Sequence, residues 1–181
     1  MDVKKFLKRA YVFLFKEESL KSYIAFFIFA YLVLKFILFP TFLFVVGWKD
    51  VTSILSPSMV HGPNVNVTYY TWWMERGYNA SNFTFSHGLD VGDAIIVVDG
   101  NISIGDVIVF YPHGSSYTFV HRVVDIHCDN TTCYYTTKGD ANMYSLPQEI
   151  NISRDRVVGK VVMSIPYLGW PRTLMFYILG I

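Results

Sequence analysis

A mainly β fold on a single N-terminal membrane-spanning helix is predicted for this chain, and three features point to it. The run from Tyr23 to Trp48 is apolar apart from one charge, Lys35. Beyond it, short β-prone runs alternate with Gly, Pro and Asn. The chain has 181 residues, so tail and anchor leave about one domain's length outside the bilayer. Short strands divided by turn residues fold most readily into a compact antiparallel β domain, a barrel or a sandwich.

Composition agrees with this division. Apolar residues make up 52% of the chain and charged residues 16%, against roughly 25% charged in typical globular chains. The anchor accounts for much of that skew. A net charge of +1 provides no basic footprint for nucleic acid, and that partner class is set aside.

Residues 1–21 read as a cytoplasmic, basic, amphipathic tail. Val3, Phe6, Leu7, Ala10, Phe13 and Leu14 recur at helical spacing, with basic residues on the other side. Such a helix suits the inner leaflet, although a juxtamembrane helix that only sets topology has the same pattern. Residues 22–48 are the transmembrane anchor. As a helix, Tyr23 to Trp48 would be about 39 Å long, more than the roughly 30 Å of a hydrocarbon core. Pro40 is expected to kink or end it, leaving Lys35 a turn away to snorkel outward. The run is too long, and starts too late, for a cleaved signal peptide. Lys4, Lys5, Lys8, Arg9, Lys16 and Lys21 precede the run and only Lys49 follows closely. The positive-inside rule therefore puts the N-terminus in the cytoplasm. Six glycosylation sequons, at Asn66, Asn79, Asn82, Asn101, Asn130 and Asn151, all lie after the anchor, as an extracytoplasmic domain would have them.

Residues 49–164 form that outer domain. Ala94–Val98 runs into the turn pair Asp99-Gly100, and Asp106–Phe110 follows as a second strand. Tyr117–Ile126 and Tyr134–Thr137 make a hairpin, and Val157–Met163 a further strand, with a bulge at Gly159. Cys128 and Cys133 bracket a turn-like Asp-Asn-Thr-Thr. Outside the cytoplasm this spacing fits a disulfide across the hairpin mouth, a reduced pair being the alternative. No Cys or His spacing implies a metal. Within the domain, residues 60–90 are long, polar and aromatic, with one short helix expected at Thr71–Arg76. Trp72 and Trp73 suit either the headgroup level or packing onto the β core. Residues 165–181 are apolar but interrupted by Pro171 and Arg172. They are expected to contact the membrane, since the uninterrupted end is too short to span it.

Six short motifs fall in order along the outer domain: Ser56-Pro57-Ser58-Met59, Gly92-Asp93, Gly105-Asp106, His121-Arg122, Lys138-Gly139-Asp140 and Gly159-Lys160. Behind one N-terminal anchor, this series resembles the type I signal peptidases from Ser56 to about Trp170. Having His before Arg, where bacterial enzymes place a lysine, is similar to the archaeal and endoplasmic-reticulum branch. The resemblance implies that Ser58 is the nucleophile, His121 the general base and Asp140 the carboxylate that orients it. It also implies that the Ser56 hydroxyl and the Ser58 backbone N–H line an oxyanion hole. These residue types suit the chemistry: a serine hydroxyl needs a neighbouring base, and imidazole accepts and returns a proton near neutral pH.

The chain departs from the family pattern in three places. Relatives usually carry another acid a few residues after Lys-Gly-Asp, whereas here none follows until Glu149. Val60-His61 replaces the polar residue and proline common after Ser-Met. About thirty residues separate Met59 from Gly92, a longer stretch than in close relatives. His61 is thus a second histidine near the nucleophile, and Lys138 keeps a Ser–Lys dyad open.

The resemblance implies a single-pass protein of the cell membrane or the endoplasmic-reticulum membrane. Its substrates would be preprotein signal peptides, taken in contact with membrane lipid, with accessory subunits left open. It would work through an acyl-enzyme and without a cofactor. The alternative from another class is a non-catalytic, membrane-tethered glycoprotein that binds partners.

Overall fold

The computed structural model describes residues 3–129 and 131–180, without the side chains of Asn66 and Val67. The sequon residues Asn66 (its side chain) and Asn130 therefore lie outside the described residues, as do Met1, Asp2 and Ile181 at the ends of the expected tail and C-terminal segment. The other four sequon asparagines are exposed. Residues up to Val46 and residues from Gly47 form two compact units.

In the first unit, helix α1 (Val3–Phe15) leaves Val3, Phe6 and Leu7 exposed on one face. Ser19 caps the next helix by accepting a hydrogen bond from the Ser22 N–H, which satisfies one of the orphan donors of its first turn. Helix α2 (Leu20–Val33) continues through a π-helical turn, Leu34–Leu38, into α3 (Phe39–Val46). Together they form one 27-residue helix, Leu20–Val46, long and apolar enough to cross a membrane. Pro40 was expected to kink or end this helix, but the helix runs through it. The wide turn lies just ahead of the proline, the Phe39 N–H reaching back to Leu34 O. A wide turn of this kind loosens the ladder where the proline lacks a donor and its ring would crowd the preceding turn. Lys35 lies within that turn, over the rings of Tyr31 and Phe36.

The second unit is built on one antiparallel sheet of seven strands, in the order β1-β2-β7-β3-β4-β5-β6. The strands are β1 (Trp48–Ser53), β2 (Ala94–Val98), β3 (Val107–Phe110), β4 (Phe119–Cys128), β5 (Cys133–Lys138), β6 (Ile152–Ser153) and β7 (Val157–Ile165). Alternation divides their side chains between two cores. Val107, Val109 and Val161 join Met59 and Leu89 on one side, while Ile108, Phe110, Val123 and Ile152 pack on the other. Trp48 belongs to an edge strand and not to the anchor. Asp99-Gly100 does not close a β2–β3 hairpin, because β7 lies between the two and pairs with both. β4 and β5 do form the expected hairpin, and a Cys128–Cys133 disulfide ties its mouth. Gly159 is required by close approach, since a Cβ there would lie 2.3 Å from Val98 O.

Residues 60–90 contain a longer helix than expected, α4 (Pro63–Met74). Pro63 sits in its first turn, where a missing N–H costs nothing. Tyr69, Trp73 and Ala80 form a third core that packs on Ile104 and Val124. The tryptophans therefore pack onto the β domain. Helix α5 (Trp170–Leu179) also carries a proline, Pro171, in its first turn. It lies on the chain between β1 and Ser56, with the Tyr177 hydroxyl donating to Leu55 O at 2.8 Å and Thr173 buried. Pro171 and Arg172 open this helix and do not interrupt it, while Leu174 and Ile178 stay exposed.

Candidate active site

Ser58 sits in a single 3₁₀ turn, Pro57–Met59, that follows β1. Met59 anchors the turn by inserting into the core, 1% exposed. His121 is the third residue of β4, opposite Ile108 of β3. Strand alternation turns it to the same face as Phe119 and Val123, and its ring meets that of Phe119 at 5.5 Å. The turn and the strand bring Ser58 Oγ to 2.9 Å from His121 Nε2, although 63 residues separate them in the chain.

On the far side of the ring, His121 Nδ1 is 2.6 Å from Glu149 Oε2. A carboxylate can only accept, so in the neutral imidazole the proton sits on Nδ1 and Nε2 is left to accept from the serine hydroxyl. Glu149 is fully buried. The Thr137 hydroxyl donates to the same oxygen at 3.0 Å, and the Leu146 N–H donates to Oε1 at 3.2 Å. Glu149 closes a 3₁₀ turn, Pro147–Glu149, that begins on Pro147.

Asp140 was expected beside His121 and is not there. Arg122, the next residue along β4, points to the opposite face and takes both Asp140 oxygens, Nε to Oδ1 at 2.9 Å and Nη2 to Oδ2 at 2.7 Å. Its remaining donors go to Thr84 O, Phe85 O and Gly105 O. All five N–H groups of this fully buried guanidinium are thus satisfied. Burial alone would raise the Asp140 carboxyl, but hydrogen bonds from His61 and Arg122 outweigh it and hold the group below the usual carboxylate range. Asp140 is the counter-ion of Arg122, and Glu149 is the acid at the imidazole. The one sequence signal for Glu149 was its being the first acid after Lys-Gly-Asp.

The Lys-Gly-Asp segment still borders the serine. The Ala141 N–H donates to Ser58 O at 2.9 Å. A Cβ on Gly139 would lie 2.8 Å from that same oxygen and 3.0 Å from His121 Nε2, so only glycine fits there. Lys138 faces away from the serine: its Nζ donates to Gly139 O and Asn142 O at 3.0 and 2.8 Å. Burial pulls its ammonium below the ordinary lysine value. The Ser56 hydroxyl is 3.1 Å from Ser58 Oγ. His61 bonds Asp140 Oδ2 at 3.0 Å and so belongs to the Arg122 side of the sheet. Among the described residues no cluster of His, Cys, Asp and Glu could hold a metal ion.

No protein-family model matches the chain. Curated relatives named "Signal peptidase complex catalytic subunit SEC11" do match. The one from Colletotrichum graminicola is 28% identical over 110 residues, 50% of this chain and 63% of the relative. Those from Dictyostelium discoideum and Candida tropicalis are 32% and 31% identical, over 42% and 40% of this chain and 46% and 47% of their own lengths. The chain thus spans between about half and under two thirds of the relatives it matches. By sequence, this chain is similar, over half its length or less, to proteins named as catalytic subunits of signal peptidase complexes.

Proposed function

We propose that this protein is a membrane-bound serine endopeptidase that removes N-terminal signal peptides from secretory preproteins at the extracytoplasmic membrane face. The carrying observation is the chain of hydrogen bonds from Ser58 Oγ through His121 to Glu149. Ser58 Oγ attacks the scissile carbonyl as its proton passes to His121 Nε2. The imidazolium that forms is balanced by Glu149, then gives its proton to the leaving amine. The Ser56 hydroxyl and the Ser58 N–H receive the developing oxyanion, and removing one such donor typically costs about 10²–10³ in rate. The acyl group stays on Ser58 until water, activated by the same histidine, releases it.

Helix Leu20–Val46 supports a tether, and the basic residues ahead of it support a cytoplasmic N-terminus. β1 pairs with β2 on one side and leads straight to Ser56 and Ser58, which favours an extended peptide added along its other edge. The preprotein substrates, and a place among accessory subunits, rest on the named relatives and on the motifs.

The test is cleavage of a preprotein by the full chain in detergent. Ser58→Ala and His121→Ala are expected to be inactive, and Lys138→Met to stay within about tenfold of wild type. An inactive Lys138→Met that remains folded, beside an active His121→Ala, would replace this mechanism with a Ser–Lys dyad. No cleavage by the wild-type chain would favour the binding-module reading.

A further inference from the structure

Behind the Ser58–His121 pair lies a second histidine–carboxylate contact that the chemistry above does not use. His61 and Asp140 are both buried, their side chains 1% exposed, with His61 Nε2 donating to Asp140 Oδ2 at 3.0 Å. The contact closes a ring of bonds. One arm of the ring is the chain from Ser58 to His61. The other is Asp140 and Ala141, and the Ala141 N–H to Ser58 O bond joins the far ends. Two short segments joined at both ends cannot slide past each other. Gly139, which leads directly into the second arm, is the residue packed against His121 Nε2.

His61 is itself held from residues 60–90. Its ring meets Tyr69 of α4 at 4.5 Å between centroids. Gly88 passes on another side, at φ +85°, so closely that a Cβ there would lie 2.7 Å from His61 Cδ2. The same long segment covers Arg122 through Thr84 O and Phe85 O. Its inner surface therefore meets both groups that bind Asp140.

We propose that His61 is a positioning residue: its hydrogen bond to Asp140 locks residues 139–141 against Ser58, and the 60–90 segment is thereby a working part of the active site. This rests on the peptidase reading above. An error of about 1 Å in a reacting group can cost about 10² in rate. Loss of the bond should therefore lower kcat and leave KM nearly unchanged, since the His61 side chain is only 1% exposed and leaves no surface for substrate.

Two replacements separate the bond from simple packing. His61→Gln keeps an amide donor for Asp140 but loses the ring. His61→Phe keeps the ring against Tyr69 but cannot donate. Full-chain protein in detergent is assayed for kcat and KM on a preprotein, with Ser58→Ala as the blank and thermal unfolding measured in parallel. The expected result is His61→Gln within about fivefold of wild type and His61→Phe reduced about 10- to 100-fold in kcat, KM within twofold. If His61→Phe is active and His61→Gln is not, the ring matters and not the bond, and the inference is overturned. Equal losses in both, tracking lowered unfolding temperatures, overturn it too. Two wild-type-like variants beside an inactive Ser58→Ala sink this inference alone, whereas an active Ser58→Ala sinks the peptidase reading.

Discussion

Replacing Glu149 by glutamine tests the proposed catalytic geometry most sharply. The substitution keeps size and removes a charge that lies 2.6 Å from His121 Nδ1 in a fully buried place. Two effects follow. An imidazolium forming on His121 loses its counter-charge, worth about 4 kcal/mol for a pair of unit charges about 4 Å apart at an effective dielectric near 20. The amide can also turn its NH₂ toward Nδ1, which forces the proton onto Nε2, where it cannot accept from Ser58. In Ser-His-Asp proteases the equivalent change costs about 10⁴ in kcat, or about 5 kcal/mol at 1.36 kcal/mol per decade. A loss of about 10³–10⁴ in kcat is expected here, with KM changed little. Steady-state cleavage of a preprotein by folded Glu149→Gln protein measures it. Activity within tenfold of wild type would refute the assignment of Glu149 and reopen the carboxylate's identity.

Gly139→Ala should cost at least about 10² in kcat with the fold retained by circular dichroism. Its Cβ would press on Ser58 O and His121 Nε2, and wild-type activity would contradict that packing. Asp140→Asn should destabilise the β domain by about 3–5 kcal/mol at neutral pH, the cost of breaking a buried pair. The folded Asp140 carboxyl lies below its ordinary value of 3.8. Its stabilisation is therefore complete above about that pH and is lost as pH falls through the lower folded value, so denaturant midpoints of wild type and variant should converge on acidification. A gap that widens in acid would count against the ion pair. Cys128→Ser with Cys133→Ser should cost about 2 kcal/mol of stability, from a closed loop with a sequence separation of 5. Activity should persist, because the bridge lies at the opposite end of β4 from Phe119. Loss of activity in a folded double variant would contradict this.

How much was readable in advance depended on how local each cause was. The membrane-spanning helix is dictated by its own apolar side chains, and most strands follow from β-prone runs between turn residues. Ser58 and His121, which the structure brings within hydrogen-bond distance, each stand in a short motif of their own. Pro40 shows the limit of that logic: whether a proline ends a helix depends on what the preceding turn can absorb, and a wide turn at Leu34–Leu38 precedes this one.

The placement of the carboxylates departs from the sequence expectation, and its cause is not local. Asp140 is next but one to Lys138 in a recognisable motif, but β4 presents Arg122 to it and His121 to the other face. Glu149 has no motif around it. It reaches His121 because β4 pairs with β5, Thr137 of β5 shares the histidine's face, and the turn at Pro147 folds back over both. Likewise, residues 60–90 read as an uncommitted polar and aromatic stretch, since nothing in their own pattern reveals that Arg122 needs carbonyl oxygens from Thr84 and Phe85. Contacts within a turn or a strand are written in neighbouring residues. Partners joined by sheet register across tens of residues exist only once every strand has found its place.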